Sequence, residues 1–411
     1  MQIYLNDMLY ELSLALDYVE GELLGAKAFH SERVAYIAVR LGQKYGFADI
    51  NLLHLAAAAV LHDNALTEYI SLRLQNSPQS RPAPGAKDKA ASSTASLRPH
   101  CSMGEKNLQV LPFYSEIQDS VLYHHENADG SGPFALTAED TPVFAQLIHL
   151  ADQLDNRFPL NQVDAAAHSR IHEWVTRHTG HFFAPKLAAI FHEIFTDPLG
   201  DELADTDIRH RLQALLPHIP QEYNVAEIQG IATMFAHIID YKSHFTCTHS
   251  VDIARKAERL GRYLDLDSEI CTKLYLAGAL HDIGKLTIAN KILEKPDRLT
   301  NEEYEIIKTH AMASWRILQP LIDLPDVVEW ASLHHEKLNG SGYPFGKTAA
   351  DLSLEDRLLC CVDIYQALIE PRPYKEVMPH AKAIAIMRTM VQNGEIDGQL
   401  TAAIDQCFRN Y

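Results

Sequence analysis

One arrangement of histidines and aspartates occurs twice in this chain, and a chain that must gather such a set twice has few ways to fold. The first run reads His30, His62-Asp63, His100, His124-His125 and Asp152, and the second reads His249, His281-Asp282, His310, His334-His335 and Asp363. The step from the first His to the His-Asp pair is 32 residues in both runs (62 − 30 and 281 − 249), and the step from the single His to the His pair is 24 in both (124 − 100 and 334 − 310). With 22 histidines in 411 residues, two such matches are not chance, and the chain reads as a tandem duplication.

Length agrees with that reading, because 411 residues suit two domains that each bury a core of their own. The boundary falls near residue 220, giving domains 1–220 and 221–411. Periodicity is helical. Val251, Ala254, Ala257, Leu260 and Leu264 form one stripe, Val34, Ala38, Leu41 and Tyr45 form its counterpart, and each helix opens on its first ligand His. Thr300 with Glu303 marks a capping box ahead of His310. Strand signals are scarce, so the expected fold class is all-α: two tandem helical bundles with the ligands directed into each interior. The Pro-, Ser- and Ala-rich stretch from Gln75 to Pro99 reads as a loop, and a short helix is expected around Ile208 to Leu216 in the connection between the halves.

The net charge of −18 excludes non-specific binding to nucleic acid polymers and to anionic membranes, since the long-range field repels both. A small anionic substrate would need a local basic cluster. The first residues lack the basic region and apolar run of a secretory signal, and the six cysteines form no CxxC pair, which points to a reducing cytoplasm. The cysteines read as core packing, and His168, His172, His178, His181, His218, His237 and His244 as ordinary surface or core residues.

In the second half, five imidazoles and two carboxylates exceed the ligands of one zinc ion and suffice for two metals. Nitrogen and oxygen donors without thiolate favour iron, manganese or zinc over calcium or magnesium. Asp282, beside His281 on the same helix, is placed to bridge two ions that activate a water against a phosphoester. Lys285, three residues on, comes round to nearly the same face to hold a phosphate oxygen where charge gathers. Arg372 and Lys375 follow Asp363 and are candidates for a second anionic group. Gly340 to Pro344 has the composition of a tight, specified turn.

The residues His281-Asp282-Ile283-Gly284-Lys285 and His334-His335-Glu336, running into Gly342-Tyr343-Pro344, resemble the paired signatures of the HD-GYP family of bacterial cyclic di-GMP phosphodiesterases. The resemblance covers roughly residues 235 to 395. It implies a helical domain, a di- or trinuclear metal centre, and hydrolysis of cyclic di-GMP to linear pGpG with further cleavage to GMP as an extension. Gly342 and Tyr343 enter the expected substrate contacts on this ground. Trinuclear relatives carry a Glu four residues before the first ligand His, where this chain has Phe245, so two divalent ions are expected, iron or manganese ahead of zinc. Asn339 and Gln366 stand where the family has aspartates. Neither change removes a ligand, and both bear on the choice between cyclic di-GMP and cyclic GMP-AMP; a non-hydrolytic cyclic dinucleotide receptor is the rival from another functional class.

The first copy keeps all seven ligand positions as a candidate second metal site but continues Asn64-Ala65-Leu66, with no lysine matching Lys285. Its loop, Gly130-Ser131-Gly132-Pro133-Phe134, has lost the tyrosine, so that 152 − 125 is 27 where 363 − 335 is 28. Three readings stay open for it: a metal-binding regulatory or dimerising partner, for a homodimer or a signalling protein; an active site of altered specificity; or a structural relic.

Overall fold

The computed structural model describes residues 1–24, 27–66, 68–70, 72, 94–197, 202–205, 207–242, 249–293, 295, 297–370 and 378–409. Among these, the regular structure is helical apart from two paired two-residue strands, Gln2–Ile3 and Gln221–Glu222, and the all-α expectation holds. The chain divides into two compact units, Tyr4–Gln221 and Glu222–Tyr411, and Met1–Ile3 joins the latter. The Met1 ammonium donates to the Tyr223 carbonyl, and the Tyr223 N–H donates back to Met1. No described helix is long and apolar enough to cross a membrane.

The first unit runs α1 (Leu5–Leu24), α2 (His30–Tyr45), α3 (Asp49–Val60), α4 (Thr94–Leu108), α5 (Val143–Arg157), α6 (Ala165–His178), α7 (Pro185–Ile194) and α8 (Ile208–Leu215). The second repeats the order without the last: α9 (Val225–Asp240), α10 (His249–Tyr263), α11 (Ser268–Leu280), α12 (Asn301–Leu318), α13 (Pro325–Ser332), α14 (Leu354–Ile369), α15 (His380–Gln392) and α16 (Gly398–Cys407). In the first unit, the turn Tyr114–Ile117 lies between α4 and α5, in the interval that α13 fills in the second. The connection helix is present as α8. The capping box of Thr300 and Glu303 starts α12, and Asn224 with Glu227 and Ser353 with Asp356 cap α9 and α14 in the same way.

Two expectations are corrected. Much of the stretch from Gln75 to Pro99 lies outside the described residues, but Thr94–Pro99 is the first turn and a half of α4, with Pro99 inside the helix, where it lacks the N–H that would bond one turn back. The apolar stripe of α2 also understates its burial, because every residue from His30 to Val39 is buried. This helix is central, packed by α1, α3, α5, α7 and α8, so its polar side chains are enclosed with it. They are paired accordingly. Arg33 Nε donates to Asp155 Oδ1 at 2.6 Å, and Glu32 accepts from Arg209 at 2.6 Å.

Helix contacts close to the ligands depend on missing side chains. A Cβ on Gly278 of α11 would lie 2.8 Å from the Ala254 Cα of α10, and a Cβ on Gly284 would lie 2.0 Å from the His310 carbonyl oxygen of α12. Gly284 therefore lets the turn carrying Asp282 lie directly on the helix carrying His310. The Gly284 N–H donates to Ser314 Oγ at 3.0 Å, which itself donates to the His281 carbonyl at 2.8 Å. The first copy moves the glycine across the same contact: Ala65 stands opposite Gly104, whose carbonyl accepts from Asn64. Gly284→Ala is expected to cost about 1–3 kcal/mol by overpacking, read as a lowered melting temperature of the second unit. An unchanged transition would mean that this contact is looser than described.

Candidate metal centres

In the second unit, seven ligand side chains from five elements converge. His249 opens α10, His281 caps the C-terminus of α11, His310 lies inside α12, His334-His335 follow α13 and Asp363 lies on α14. The expectation that Asp282 shares a helix with His281 is corrected: α11 ends at Leu280, and Asp282 leads into a 3-10 turn over Ile283–Thr287. That turn lets Asp282 face two groups of nitrogens. Its carboxylate is 3.1 Å from His281 Nε2, 3.4 Å from His310 Nε2 and 3.7 Å from His249 Nε2. Donor atoms of His249, His281 and Asp363 lie within 4.8 Å of one another, and so do those of His310, His334 and His335. Two centres with a carboxylate reaching both is the geometry that a dinuclear site needs.

The rings are fixed in one tautomer. Nδ1 of His281, His310 and His334 donates to the carbonyl three residues earlier, on Gly278, Ile307 and Ala331, at 2.7, 2.6 and 2.7 Å. His62 and His124 do the same toward Ala59 and Val121 at 2.8 and 2.6 Å. Nδ1 thus carries the proton, and the Nε2 lone pair faces the cluster. His281 Nε2, His62 Nε2, His124 Nε2, Asp63 Oδ1 and Asp152 Oδ2 are buried with no hydrogen-bond partner. Buried polar atoms normally have partners, so unpaired acceptors aimed at one point fit divalent metals in both units.

The charges agree. Burial alone would hold His281 neutral, yet the Asp282 carboxylate raises its affinity for a proton; Asp282 itself, though buried, is held well below the usual carboxylate range by His281 and Lys285. Burial and the His335 ring push His334 well down, and burial takes His335 down to about 3. Carboxylates among neutral imidazoles draw cations, and a dication at ligand distance would displace the shared protons.

Several supporting residues had escaped the sequence reading. His249 Nδ1 donates to Glu370 at 3.1 Å, one helical turn beyond Gln366. In the first copy His30 Nδ1 donates to Asp155 at 2.8 Å, and Asp155 occupies the position of Gln366, since 155 − 152 equals 366 − 363. The orienting carboxylate has moved along the helix while its task stayed. Ser250, next to His249, donates its hydroxyl to Asp240 at 2.7 Å, and Ser31 repeats this with Asp17 at 2.6 Å; burial raises Asp240 to about 7 and Asp17 to about 6. Glu336 binds the loop after it, accepting backbone N–H groups of Phe345, Gly346 and Lys347 at 2.7, 3.1 and 2.9 Å. Ser31 and Ser250, and Glu126 and Glu336, recur at equivalent places, and Glu336 belongs to the His334-His335-Glu336 signature; Glu370 and the Asp17 and Asp240 pair have no such signal.

Lys285 is paired with Asp282 and not held on a helix face, because it sits in the 3-10 turn. The Tyr343 ring lies 4.7 Å from that of His335, tilted by 41°, and Lys308 Nζ lies 5.9 Å from the Tyr343 ring. Gly342 has no space for a side chain, as a Cβ would be 2.4 Å from the Lys337 nitrogen. His335 and Lys285 have side chains about a quarter exposed, which makes theirs the open side of the site. Asn339 keeps the turn-making task of an aspartate, accepting from Ser341 N–H at 3.1 Å as Asp129 does from Ser131 at 3.0 Å. Arg372, Lys375 and Phe245 lie outside the described residues.

The first copy brings its own set together. Asp63 Oδ1 is 3.3 Å from His100 and 3.5 Å from His124, while Asp152 Oδ1 is 3.4 Å from His30 and 3.7 Å from His62. His125 packs against the His100 ring at 5.1 Å. No cationic side chain sits where Lys285 does, because Leu66 holds that position. Glu126 still binds the shortened loop through Phe134 and Leu136, so losing the tyrosine left the anchor intact.

Fold and site together define a tandem HD-domain protein of the metal-dependent phosphohydrolase kind. Family models described as HD domain match residues 28–157 and 233–400. The chain is 31% identical over 396 residues to 3'3'-cGAMP-specific phosphodiesterase 1 of Vibrio cholerae serotype O1, covering 93% of this chain and 88% of that protein. It is 32% identical over 317 residues to 3'3'-cGAMP-specific phosphodiesterase 3 of the same organism, covering 76% and 67%. A cyclic di-GMP phosphodiesterase of Pseudomonas aeruginosa is 36% identical over 160 residues, 39% of this chain and 38% of that one. The crystal structure of a cyclic GMP-AMP-specific phosphodiesterase of V. cholerae matches 100% of this chain and 99% of its own with a TM-score of 0.66 and 25% identity. The chain belongs to the HD-GYP-type phosphodiesterase family, in its tandem form, and is an enzyme of that class.

If Glu370 orients His249, Glu370→Gln weakens metal retention by the second unit about 10–100-fold, measured by competition with a chelator. Adding Gln366→Asp, which restores the arrangement of the first copy, recovers part of it. Equal retention in all three proteins would remove Glu370 from this role.

Proposed function

We propose that residues 221–411 hydrolyse a 3'3'-linked cyclic dinucleotide to its linear form, and that residues 1–220 bind metal as a regulatory or dimerising domain, for a homodimer or a signalling partner. The observation that carries the first part is the pair of donor groups in the second unit with Asp282 reaching both and one side open at Lys285, His335 and Tyr343. His249, His281, Asp282, His310, His334, His335 and Asp363 would hold two divalent ions, iron or manganese by their donor set and zinc as the alternative. When bound, such ions lower the pKa of a water and offset charge on the phosphoryl group.

The chain's own residues supply the rest. The orienting bonds from Glu370 and the three helix carbonyls keep the Nε2 atoms aimed without reorganisation. With dications bound, Asp282 would be neutralised, and Lys285, paired with it in this structure, would be free to hold a non-bridging phosphate oxygen. Water attacks phosphorus, the bond to the sugar 3'-oxygen breaks, and that oxygen leaves with a proton. Tyr343, beside His335 at the mouth, offers a face for a base, and Gly342 lets the loop lie against His335. Arg372 and Lys375 remain the proposed anchors for the second phosphate.

Cyclic di-GMP is the substrate read from the sequence, with cyclic GMP-AMP as its alternative. The relatives covering most of the chain carry cyclic GMP-AMP specificity in their names, whereas those named for cyclic di-GMP cover less than half, which favours cyclic GMP-AMP. Further cleavage of the linear product belongs to the same chemistry. The reading sets the enzyme in the cytoplasm, where its unpaired cysteines stay reduced.

Turnover of both dinucleotides by metal-loaded protein tests this. His281→Ala/Asp282→Ala should abolish hydrolysis, and Lys285→Ala should lower kcat about 10²–10³-fold with metal content unchanged. Loss of activity on His62→Ala/Asp63→Ala alone would reverse the roles of the two units, and no turnover by a fully metallated protein would favour the receptor.

A further inference from the structure

The first copy differs from the second at one position beside a ligand. Where α12 reads His310-Ala311, α4 reads His100-Cys101. Cys101 is buried, its Sγ lies 3.8 Å from His100 Nε2, and the donor atoms of His100, Cys101, His124 and His125 all fall within 4.8 Å of one another. We infer that these four residues form a thiolate–imidazole metal site of zinc type, distinct in chemistry from the centres of the second unit. This rests on the reading that the first unit binds metal.

Geometry supports it on independent grounds. Tetrahedral zinc with bonds of about 2.0–2.1 Å to nitrogen and 2.3 Å to sulfur separates those donors by about 3.5 Å, close to the distance seen. His124 is wholly buried, its Nδ1 is tied to Val121 at 2.6 Å, and its Nε2 has no hydrogen-bond partner. That nitrogen is aimed into the cluster and needs a ligand there. A disulfide is no alternative, because Cys101 is the only cysteine before residue 247. Nor does the fold require a thiol, since Ala311 fills the matching place.

The donor count has a functional meaning. In the second unit His310, His334 and His335 would give an ion three nitrogens and leave the fourth position to Asp282, water or substrate. Cys101 adds a thiolate to the matching imidazoles of His100, His124 and His125 and would fill that fourth position, with no need of Asp63. Thiolate selects zinc over manganese or magnesium, and a closed donor set is the mark of a structural ion. Binding forms the metal–sulfur bond and releases the thiol proton to solvent. The added negative charge also makes the ion a weaker Lewis acid, as suits a copy without the counterpart of Lys285.

Cobalt(II) substitution of the full chain gives the test. The native protein should show thiolate-to-cobalt charge-transfer absorption that zinc displaces. Cys101→Ala should lose that absorption and bind zinc at least about 10-fold more weakly, with metal-free melting unchanged because it copies Ala311. Metal lost on His124→Ala/His125→Ala, but no thiolate band in the native protein, would overturn the thiolate site and leave first-unit metal binding standing. Equal metal content in native and His124→Ala/His125→Ala proteins would overturn both.

Discussion

The bond from a ligand histidine's Nδ1 to the carbonyl three residues before it is the interaction on which both centres depend. It recurs at His62, His124, His281, His310 and His334. A free imidazole exchanges tautomers and rotates; one tied this way presents a single lone pair in a single direction. The helix endings help to make it available. The helices α3, α11 and α13 stop at Val60, Leu280 and Ser332, within two residues of His62, His281 and His334, so their last carbonyls are free of intrahelical partners. Those ends also carry partial negative charge, which favours cations. Early helix termination thus supplies at once the turn for Asp63 or Asp282, the lock for the histidine and part of the field.

That link explains what the sequence made legible. Two of the ligand steps are identical in the two copies because each ligand is fixed to a backbone position between packed helices, whereas the step from the His-Asp pair to the next His is 38 residues in the first copy (100 − 62) and 29 in the second (310 − 281). Outer residues do not obey that rule. Glu370 can replace the carboxylate at the Gln366 position because a longer side chain one turn further along the helix reaches the same imidazole, and no pattern of residue types announces the exchange. Asp240 lies 9 residues before His249, whereas Asp17 lies 13 before His30, so their common task was hidden by the different spacing. The burial of α2 was hidden for another reason: its charged residues look like a solvated face until Asp155 and Arg209 are seen to pair with them.

The two copies have diverged where chemistry, and not folding, is decided. The ligand set, the glutamate holding the loop and the serine–aspartate clasp beside the first histidine are common to both. Leu66 for Lys285, the lost tyrosine and Cys101 for Ala311 are changes around the metal positions that leave those clasps alone. A relic would lose ligands as readily as neighbours, because a buried imidazole without a partner costs free energy. Retaining His62 and His124 with unpaired Nε2 atoms is therefore consistent with continued occupation by a cation.

An acidic chain acting on an anionic dinucleotide faces a repulsive approach, and at physiological ionic strength the field is screened beyond about 8 Å. Attraction must then be local, and the open side of the second centre is where it is built. Lys285 sits on the rim beside Asp282, a carboxylate that reaches both donor groups, and Lys308 stands over Tyr343. The first copy has Leu66 in place of Lys285 and no counterpart of Tyr343, and Arg98, at the position of Lys308, lies 5.3 Å from the Phe134 ring. With the lysine missing from its inner rim, such a site can hold an ion within its carboxylates and imidazoles while offering less to a phosphodiester. Selectivity between the copies then follows from rim charge and open coordination positions, with no change in the fold that carries them.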